Sequence, residues 1–254
     1  MTQPSARRIE SARNAIFKDL RRALSGREIR KSGLVLVSGP KTIRDVLQAF
    51  PDRCEAWVNR EGQPDPPLAL PPGAAWFQLA AGLFRELDIF GTDAPLLLVR
   101  TPPMSAWDAA APLPMGCTLL VPFQDPENVG AVIRSAAAMG VTNIVLLAGS
   151  GNPYHPRAIR ASAGAVFHAS LMSGPEIGAL PAGLAVIPLS GEGGDVADFQ
   201  FPERFALLPG LEGPGLPAAM RSRALSIPIS DRVESLNAAT AVAVFLYLWS
   251  RARR

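Results

Sequence analysis

Residues 117–147, CTLLVPFQDPENVGAVIRSAAAMGVTNIVLL, decide the fold. Cys117–Val121 is a short, continuous apolar run, as expected of a strand buried on both faces. Asp125-Pro126 turns the chain. Val129–Met139 repeats apolar residues at helical spacing, and Ile144–Leu147 is a second apolar run. Strand, helix, strand in this order predicts a parallel pair with a crossover helix. Asn128 can cap the helix, and Gly130 lets another backbone approach closely. Arg134 follows six positions after Asn128. Taken alone, N-x-G-x-x-x-R is a weak motif, better explained by a structural cap than by a site.

The alternation continues toward the C-terminus. A helix is expected over Pro156–Phe167, then strands at Leu184–Leu189 and Phe205–Leu208. A glycine loop, Gly210–Gly215, follows. Strand Leu225–Ile229 and helix Leu236–Arg253 close the chain. The fold class is therefore α/β with a mostly parallel sheet covered on both faces, and its ligands belong beyond the C-terminal strand ends.

Toward the N-terminus, Thr101–Gly116 (TPPMSAWDAAAPLPMG) holds four prolines between two apolar runs and reads as a linker. It divides a first domain at 1–100 from a second at 117–254. Within the first, Ser11–Ser25 is expected to be a helix with Ala15, Ile16, Leu20, Ala23 and Leu24 on one side and arginines on the other. Gly33–Val37 is a strand, and Pro40 opens a helix carrying Ile43, Val46, Leu47 and Phe50. Glu55–Val58 is a strand, Gln78–Leu87 a helix and Leu96–Val99 a strand. Gln63–Gly73 is a Pro-rich loop.

Composition narrows the class. The 254 residues are 48% hydrophobic and 19% charged, with 22 Gly and 25 Pro. That fits a packed α/β chain with many tight connections, and neither a disordered chain nor a coiled coil. Cys54 and Cys117 lie 63 positions apart and form no C-x-x-C pair. His155 and His168 are the only histidines, which argues against a multi-histidine metal site. Met1–Arg13 lacks the apolar core of a signal peptide. Ala238–Trp249, the longest apolar segment, falls short of the roughly 20 residues needed to span a bilayer. A soluble cytoplasmic protein is expected.

Residues 1–44 carry eleven Lys/Arg against three Asp/Glu, net +8, so the remainder of the +3 chain is net −5. There are 22 Arg and only 3 Lys. Arg is the better bidentate phosphate ligand, so a polyanion partner and a solvated helix face are both open readings.

Two further loops follow expected strands. Leu208–Leu216 (LPGLEGPGL) surrounds one carboxylate, Glu212, with glycines. It is neither G-x-G-x-x-G nor a phosphate loop with a lysine, which disfavours a nicotinamide-dependent oxidoreductase and a nucleotide-phosphate site. A tight turn explains it equally well. Ile227–Asn237 (IPISDRVESLN) leads into the apolar helix, where Ser235 and Asn237 could cap the helix or hold a polar ligand.

In order and context, DPENVGAVIRSAAAMG, LLPGLEGPGL and IPISDRVESLNAATAVA resemble the three motifs of the SpoU class of the SPOUT superfamily, the S-adenosylmethionine-dependent RNA 2′-O-ribose methyltransferases. PRAIRASAGAVF resembles a segment that the family carries after its second strand. The likeness covers Leu119 to about Arg251. The first domain is similar to the small RNA substrate-binding domain of ribosomal-protein type often fused to this class. Two departures stand out. Asn237-Ala238-Ala239-Thr240 replaces the more β-branched and hydroxyl-rich residues usual in the family, and Ser38 stands where many relatives have an acidic residue.

The resemblance implies a trefoil-knotted catalytic domain working as a homodimer, with the last helix and the first motif at the interface. It implies a cofactor, S-adenosyl-L-methionine, held mainly by backbone groups at Leu208, Gly210, Ile227 and Leu236. It implies polar site residues Asn128, Arg134, Glu212, Ser235 and Asn237, with no metal. An RNA partner is implied, ribosomal RNA favoured over transfer RNA, the other alternative being a non-catalytic RNA-binding or ribosome-assembly factor on the same fold. A ribose hydroxyl is a poor nucleophile until its proton leaves. The three motifs hold no His, Cys or Lys, and a guanidinium ordinarily stays protonated. Arg134 is therefore expected to clamp the adjacent phosphate and stabilise the developing alkoxide, with a base role as the alternative.

Overall fold

The computed structural model describes residues 4–63, 65–66, 70–210 and 216–253. In chain order the strands and helices are β1 (Arg7–Ile9), α1 (Ala15–Arg22), α2 (Gly26–Ser32), β2 (Leu34–Val37), α3 (Pro40–Ala49), β3 (Cys54–Arg60), β4 (Ala75–Leu79), α4 (Ala81–Leu87), β5 (Leu96–Arg100) and β6 (Ser105–Ala106). There follow β7 (Gly116–Val121), α5 (Pro126–Ala138), β8 (Asn143–Leu146), α6 (Pro156–Ala161), β9 (Leu171–Ser173), β10 (Val186–Asp195), β11 (Arg204–Leu208), α7 (Ala218–Arg221), β12 (Leu225–Ser226) and α8 (Ala238–Ala252). They form two compact units, one of residues 1–103 with 152–167, the other of residues 104–151 with 168–254.

The first unit is built on a five-stranded sheet in the order β1-β4-β3-β5-β2. β1, β4 and β3 run parallel, whereas β5 is antiparallel to both β3 and β2. Phe17, Leu20 and Ala23 from the first helical region pack with Leu36, Val58, Leu79, Phe84 and Leu96 in one core. The helix expected over Ser11–Ser25 is shorter. Asn14 caps α1 by accepting from the Ile16 N–H at 2.8 Å. The helix expected over Gln78–Leu87 begins at Ala81, and Ala75–Leu79 is instead strand β4. A short apolar run does not reveal its own period; here pairing with β1 and β3 decides it.

The second unit has a seven-stranded sheet in the order β12-β10-β11-β7-β8-β9-β6, parallel throughout. Leu119, Leu120 and Val121 in β7 are completely buried, as expected of a parallel sheet shielded on both faces. Phe201, Phe205, Phe245 and Trp249 meet edge to face or tilted, with neighbouring centroids 5.4–6.3 Å apart. They fix α8 to the start of β11.

Three further boundaries differ from the sequence reading. Thr101–Gly116 is not a free linker from Met104 onward. β6 pairs with β9, Leu113 is buried, and the Arg204 guanidinium donates to the Leu113 carbonyl at 2.8 Å. The strand expected over Leu225–Ile229 is only the two residues of β12. The helix expected over Pro156–Phe167 stops at Ala161, turns through Ala163 and Gly164 at positive φ, and resumes as a 3-10 turn at Ala165–Phe167. Moreover, this segment packs with the first unit, where the sequence reading had kept it in the second. Asn152 Nδ2 donates to the Gly26 carbonyl at 2.9 Å, and the Arg160 guanidinium lies over the Phe90 ring.

Candidate active site

The loops after β7 and β12 converge. Asp125, rather than Asn128, caps α5. Its carboxylate accepts from the Glu127 N–H at 3.0 Å, and Pro126 occupies the first turn, where no N–H is required. Asn128 is half-buried within the first turn of α5. Asn237 caps α8, its Oδ1 accepting from Ala239 N at 2.9 Å and Thr240 N at 3.2 Å. Its Nδ2 then donates to Asn128 Oδ1 at 3.3 Å, so one amide caps a helix and links it to the other loop.

Beside this pair, a cleft of about 480 Å3 opens where β10 leaves β11 and beyond the ends of β11 and β12. Gly210, Ile227, Ser235 and Leu236 line it. Leu208 does not. It is fully buried at the end of β11, two residues before Gly210. Glu212 lies outside the described residues, as does all of 211–215. Arg134 is exposed on α5 and is not among the cleft's lining residues. Six residues along a helix turn through about 240°, so Asn128 and Arg134 leave α5 on different faces. Within one copy of the chain, the structure thus brings together Asn128 with Asn237, and Gly210, Ile227, Ser235 and Leu236 around one cleft. It does not bring Arg134 to them.

The walls of the cleft combine leucine side chains from the strand ends, Leu189, Leu216 and Leu225, with the irregular backbone of Pro209–Gly210 and Ile227–Ile229. A Cβ at Gly210 would lie 3.2 Å from the Leu189 carbonyl oxygen, so a side chain there would push apart the two strand ends that form the wall. Opposite, Gly193 lets β12 press onto the bulge in β10. A Cβ there would fall 2.5 Å from the Ala224 carbonyl oxygen, and the Ser226 hydroxyl donates to the Gly193 carbonyl at 2.9 Å.

Sequence reasoning missed Ser190, Gly191, Ser226 and Glu234, which also line the cleft. The signal for the first two was the run Gly191-Glu192-Gly193-Gly194, since glycines inside a strand mark a bulge or a close backbone approach. Glu234 brings the only charged side chain among the described lining residues.

The site therefore suits a nucleoside-sized, largely apolar ligand with a cationic group, given that small-molecule sites typically occupy about 300–1,000 Å3. It holds no thiolate. Cys117 is buried in β7, and burial pushes its thiol up to about 12. In the first unit, burial, with Asp52 and Glu55 nearby, raises the Cys54 thiol to about 11. Among the described residues there is no group of three or more His, Cys, Asp or Glu able to hold a metal ion, and no helix is long and apolar enough to cross a membrane.

Residues 117–247 match the SpoU rRNA Methylase family, and the chain belongs to that family. A protein of Syntrophobacter fumaroxidans named ribosomal RNA small subunit methyltransferase G 2 is 50% identical over 99% of this chain. The chain spans only 50% of that relative's length. The Bacillus subtilis 23S rRNA (guanosine(2553)-2′-O)-methyltransferase RlmP is 26% identical, with 95% of this chain and 98% of that protein covered. The crystal structure of the SpoU methyltransferase AviRb of Streptomyces viridochromogenes, in complex with the cofactor AdoMet, superposes with a TM-score of 0.76 at 25% identity, covering 95% of this chain and 98% of AviRb. The α/β fold with its parallel sheet is that of these methyltransferases.

Proposed function

We propose that the chain is an S-adenosylmethionine-dependent methyltransferase that acts on a ribose 2′-hydroxyl of RNA, with ribosomal RNA as the substrate. The observation that carries this reading is the cleft. Three residues expected to hold the cofactor, Gly210, Ile227 and Leu236, line one cavity beyond the C-terminal strand ends, where doubly wound α/β sheets bind ligands. The family of the chain and the AdoMet complex of AviRb support the cofactor. RlmP supports ribosomal RNA and the 2′-hydroxyl. The name of the Syntrophobacter relative belongs to a protein twice as long as this chain and assigns no subunit here.

The residues present fit the cofactor. Leu189, Leu216, Leu225 and Leu236 offer apolar walls to a purine. The backbone of Gly210 and Ile227 offers hydrogen bonds, and Glu234 offers a carboxylate to a cationic chain. When bound, the cofactor supplies an electrophilic methyl group on a sulfonium. The rest of the chemistry falls to the chain. Ser235 and the Asn128–Asn237 pair position the nucleotide beside the cleft. Arg134 binds the adjacent phosphate and offsets negative charge developing on the ribose oxygen. Glu212 belongs to this reading only through the motif resemblance, as a polar residue of the reaction site. Holding the reactants in line supplies much of the rate.

Because Arg134 lies apart from the cleft within one copy, the reading includes a homodimer in which the site is completed between copies. Ile229, Val233 and Tyr247, exposed apolar side chains on the last loop and α8, favour such an interface. The trefoil knot and an RNA-binding role for the first unit belong to the same proposal, the second supported by the net +8 of residues 1–44. The first test is methyl-donor binding by calorimetry. Tight binding supports the enzyme; no binding turns the reading to a non-catalytic RNA-binding factor.

A further inference from the structure

The segment 152–167 delivers two arginines to the surface of the first unit. Arg157 and Arg160 stand three residues apart on α6, on one helix face, and both are exposed. The Arg160 guanidinium carbon lies 4.4 Å from the centre of the Phe90 ring. Phe90 belongs to the loop between α4 and β5, next to Ile89, whose side chain is 44% exposed. A ring at that distance braces the guanidinium by a cation–π contact and leaves its N–H edges to solvent.

Further positive charge lies close by. α6 packs against β2, and the turn after it closes on α3. Gly164 has φ +86, and a Cβ there would lie 3.1 Å from Thr42 Cγ2. Lys41 and Arg44, both exposed, flank Thr42. Among the described residues, none of Lys41, Arg44, Arg157 and Arg160 is in an ion pair. The loop's own carboxylates are engaged. Asp88 accepts from the Thr92 hydroxyl and the Asp93 N–H, and Asp93 pairs with Arg60 at 2.7 Å. Asp45, next to Arg44, approaches the Gly164 turn and offsets part of the charge.

We infer that this face takes an unpaired nucleotide of the RNA substrate, its base stacked on the Arg160 guanidinium braced by Phe90 and its flanking phosphates held by Arg157 and Lys41. Guanidinium planes and aromatic rings stack bases that a duplex keeps buried in its own stack. The inference deepens the methyltransferase reading and rests on it for the choice of RNA. It also gives the stretch PRAIRASAGAVF a role in substrate selection by the first unit.

The test compares the full chain with Arg160→Ala, Arg160→Lys, Phe90→Leu and Arg157→Ala. Fluorescence anisotropy follows binding to a labelled short single-stranded RNA of mixed sequence and to the same RNA as a duplex, with methyl-donor calorimetry as the control for folding. Arg160→Ala is expected to weaken single-strand binding about tenfold and duplex binding far less. Arg160→Lys, which keeps the charge but loses the plane, recovers only part. Arg157→Ala lowers the slope of log affinity against log salt by about 0.7, the value for one lost single-strand phosphate contact. Equal losses on single strand and duplex would reduce the face to a plain charge patch and overturn the inference. So would unchanged single-strand binding in Arg160→Ala and Phe90→Leu with methyl-donor binding intact. In that case a parent chain that still methylates RNA leaves the enzyme reading standing. A parent that binds neither donor nor RNA overturns both.

Discussion

Among the described residues of the second unit, clefts of about 480 Å3 each lie at opposite ends of the same parallel sheet. One lies beyond the strand ends at Gly210 and Ile227. The other lies before the strand starts, lined by Met115, Gly116, Phe199, Phe201, Glu203 and Trp249 among others. They differ in what builds their walls. The first is made of irregular backbone and strand-end leucines, with Gly193 and Gly210 allowing strand ends to approach. The second is made of the backs of core aromatics. Phe201 and Trp249 belong to the cluster that fixes α8, and Arg253 lies over the Trp249 ring at 4.7 Å. Volume alone does not make a site. Irregular backbone and close approach make the first cleft the candidate, because they present polar backbone groups to a ligand.

That contrast can be broken by mutation. The largest effect belongs to the second cleft and to stability. Trp249, 2% exposed, is part of the core, so Trp249→Ala is expected to cost about 3–5 kcal/mol in denaturant unfolding. Methyl-donor affinity of the folded fraction should be unchanged; a selective loss of donor binding would make the second cleft a site. Next comes Arg134→Ala, expected to cut methyl transfer by at least about 100-fold while leaving donor affinity intact. A collapse of donor affinity would contradict the phosphate-clamp role and move Arg134 into the cofactor cleft. Gly210→Ala should weaken donor binding about tenfold, equivalent to about 1.4 kcal/mol, because its Cβ presses on the Leu189 carbonyl. An unchanged isotherm would show that this wall yields freely.

Smaller still, Asn237→Ala removes the α8 cap and the link to Asn128, and a stability loss of about 1 kcal/mol is expected from thermal unfolding. The buried thiols give the smallest effect. Cys54 and Cys117 ionise in the folded chain only near about 11 and about 12, against 9.0 for a free thiol. Both should resist alkylation at neutral pH. Above pH 9 the unfolded thiols release protons that the folded ones keep, so their contribution lowers stability as pH rises from there. Rapid labelling of the native chain at neutral pH would contradict that burial.

Much of this architecture could be read in the sequence, for reasons that differ by region. β7, α5 and β8 are legible in CTLLVPFQDPENVGAVIRSAAAMGVTNIVLL because a fully buried parallel strand and an amphipathic helix each leave their own pattern. The cap of α8 at Asn237 was one of two options at its start, and the hydrogen bonds decide for Asn237 over Ser235. What escaped were elements whose conformation depends on partners far along the chain. β4 exists because β1 and β3 flank it, β6 because β9 lies alongside, and 152–167 joins the first unit through bonds such as Asn152 to Gly26. The site followed the same rule. Gly210, Ile227, Ser235 and Leu236, which line the candidate cleft, were legible from motif order, whereas Ser226 lies in β12, which docks against a bulge in β10.

The most direct test of the central claim uses tritiated S-adenosylmethionine and the purified chain. Unmodified large-subunit rRNA, small-subunit rRNA and bulk tRNA are offered separately, and the label is mapped by resistance to alkaline hydrolysis. Label in ribosomal RNA at an alkali-resistant linkage is the predicted result, since a 2′-O-methyl group blocks the attack that cleaves the chain. Label at an alkali-sensitive linkage would contradict ribose methylation and point to a base. No label in any pool, with no donor bound, would contradict the methyltransferase itself.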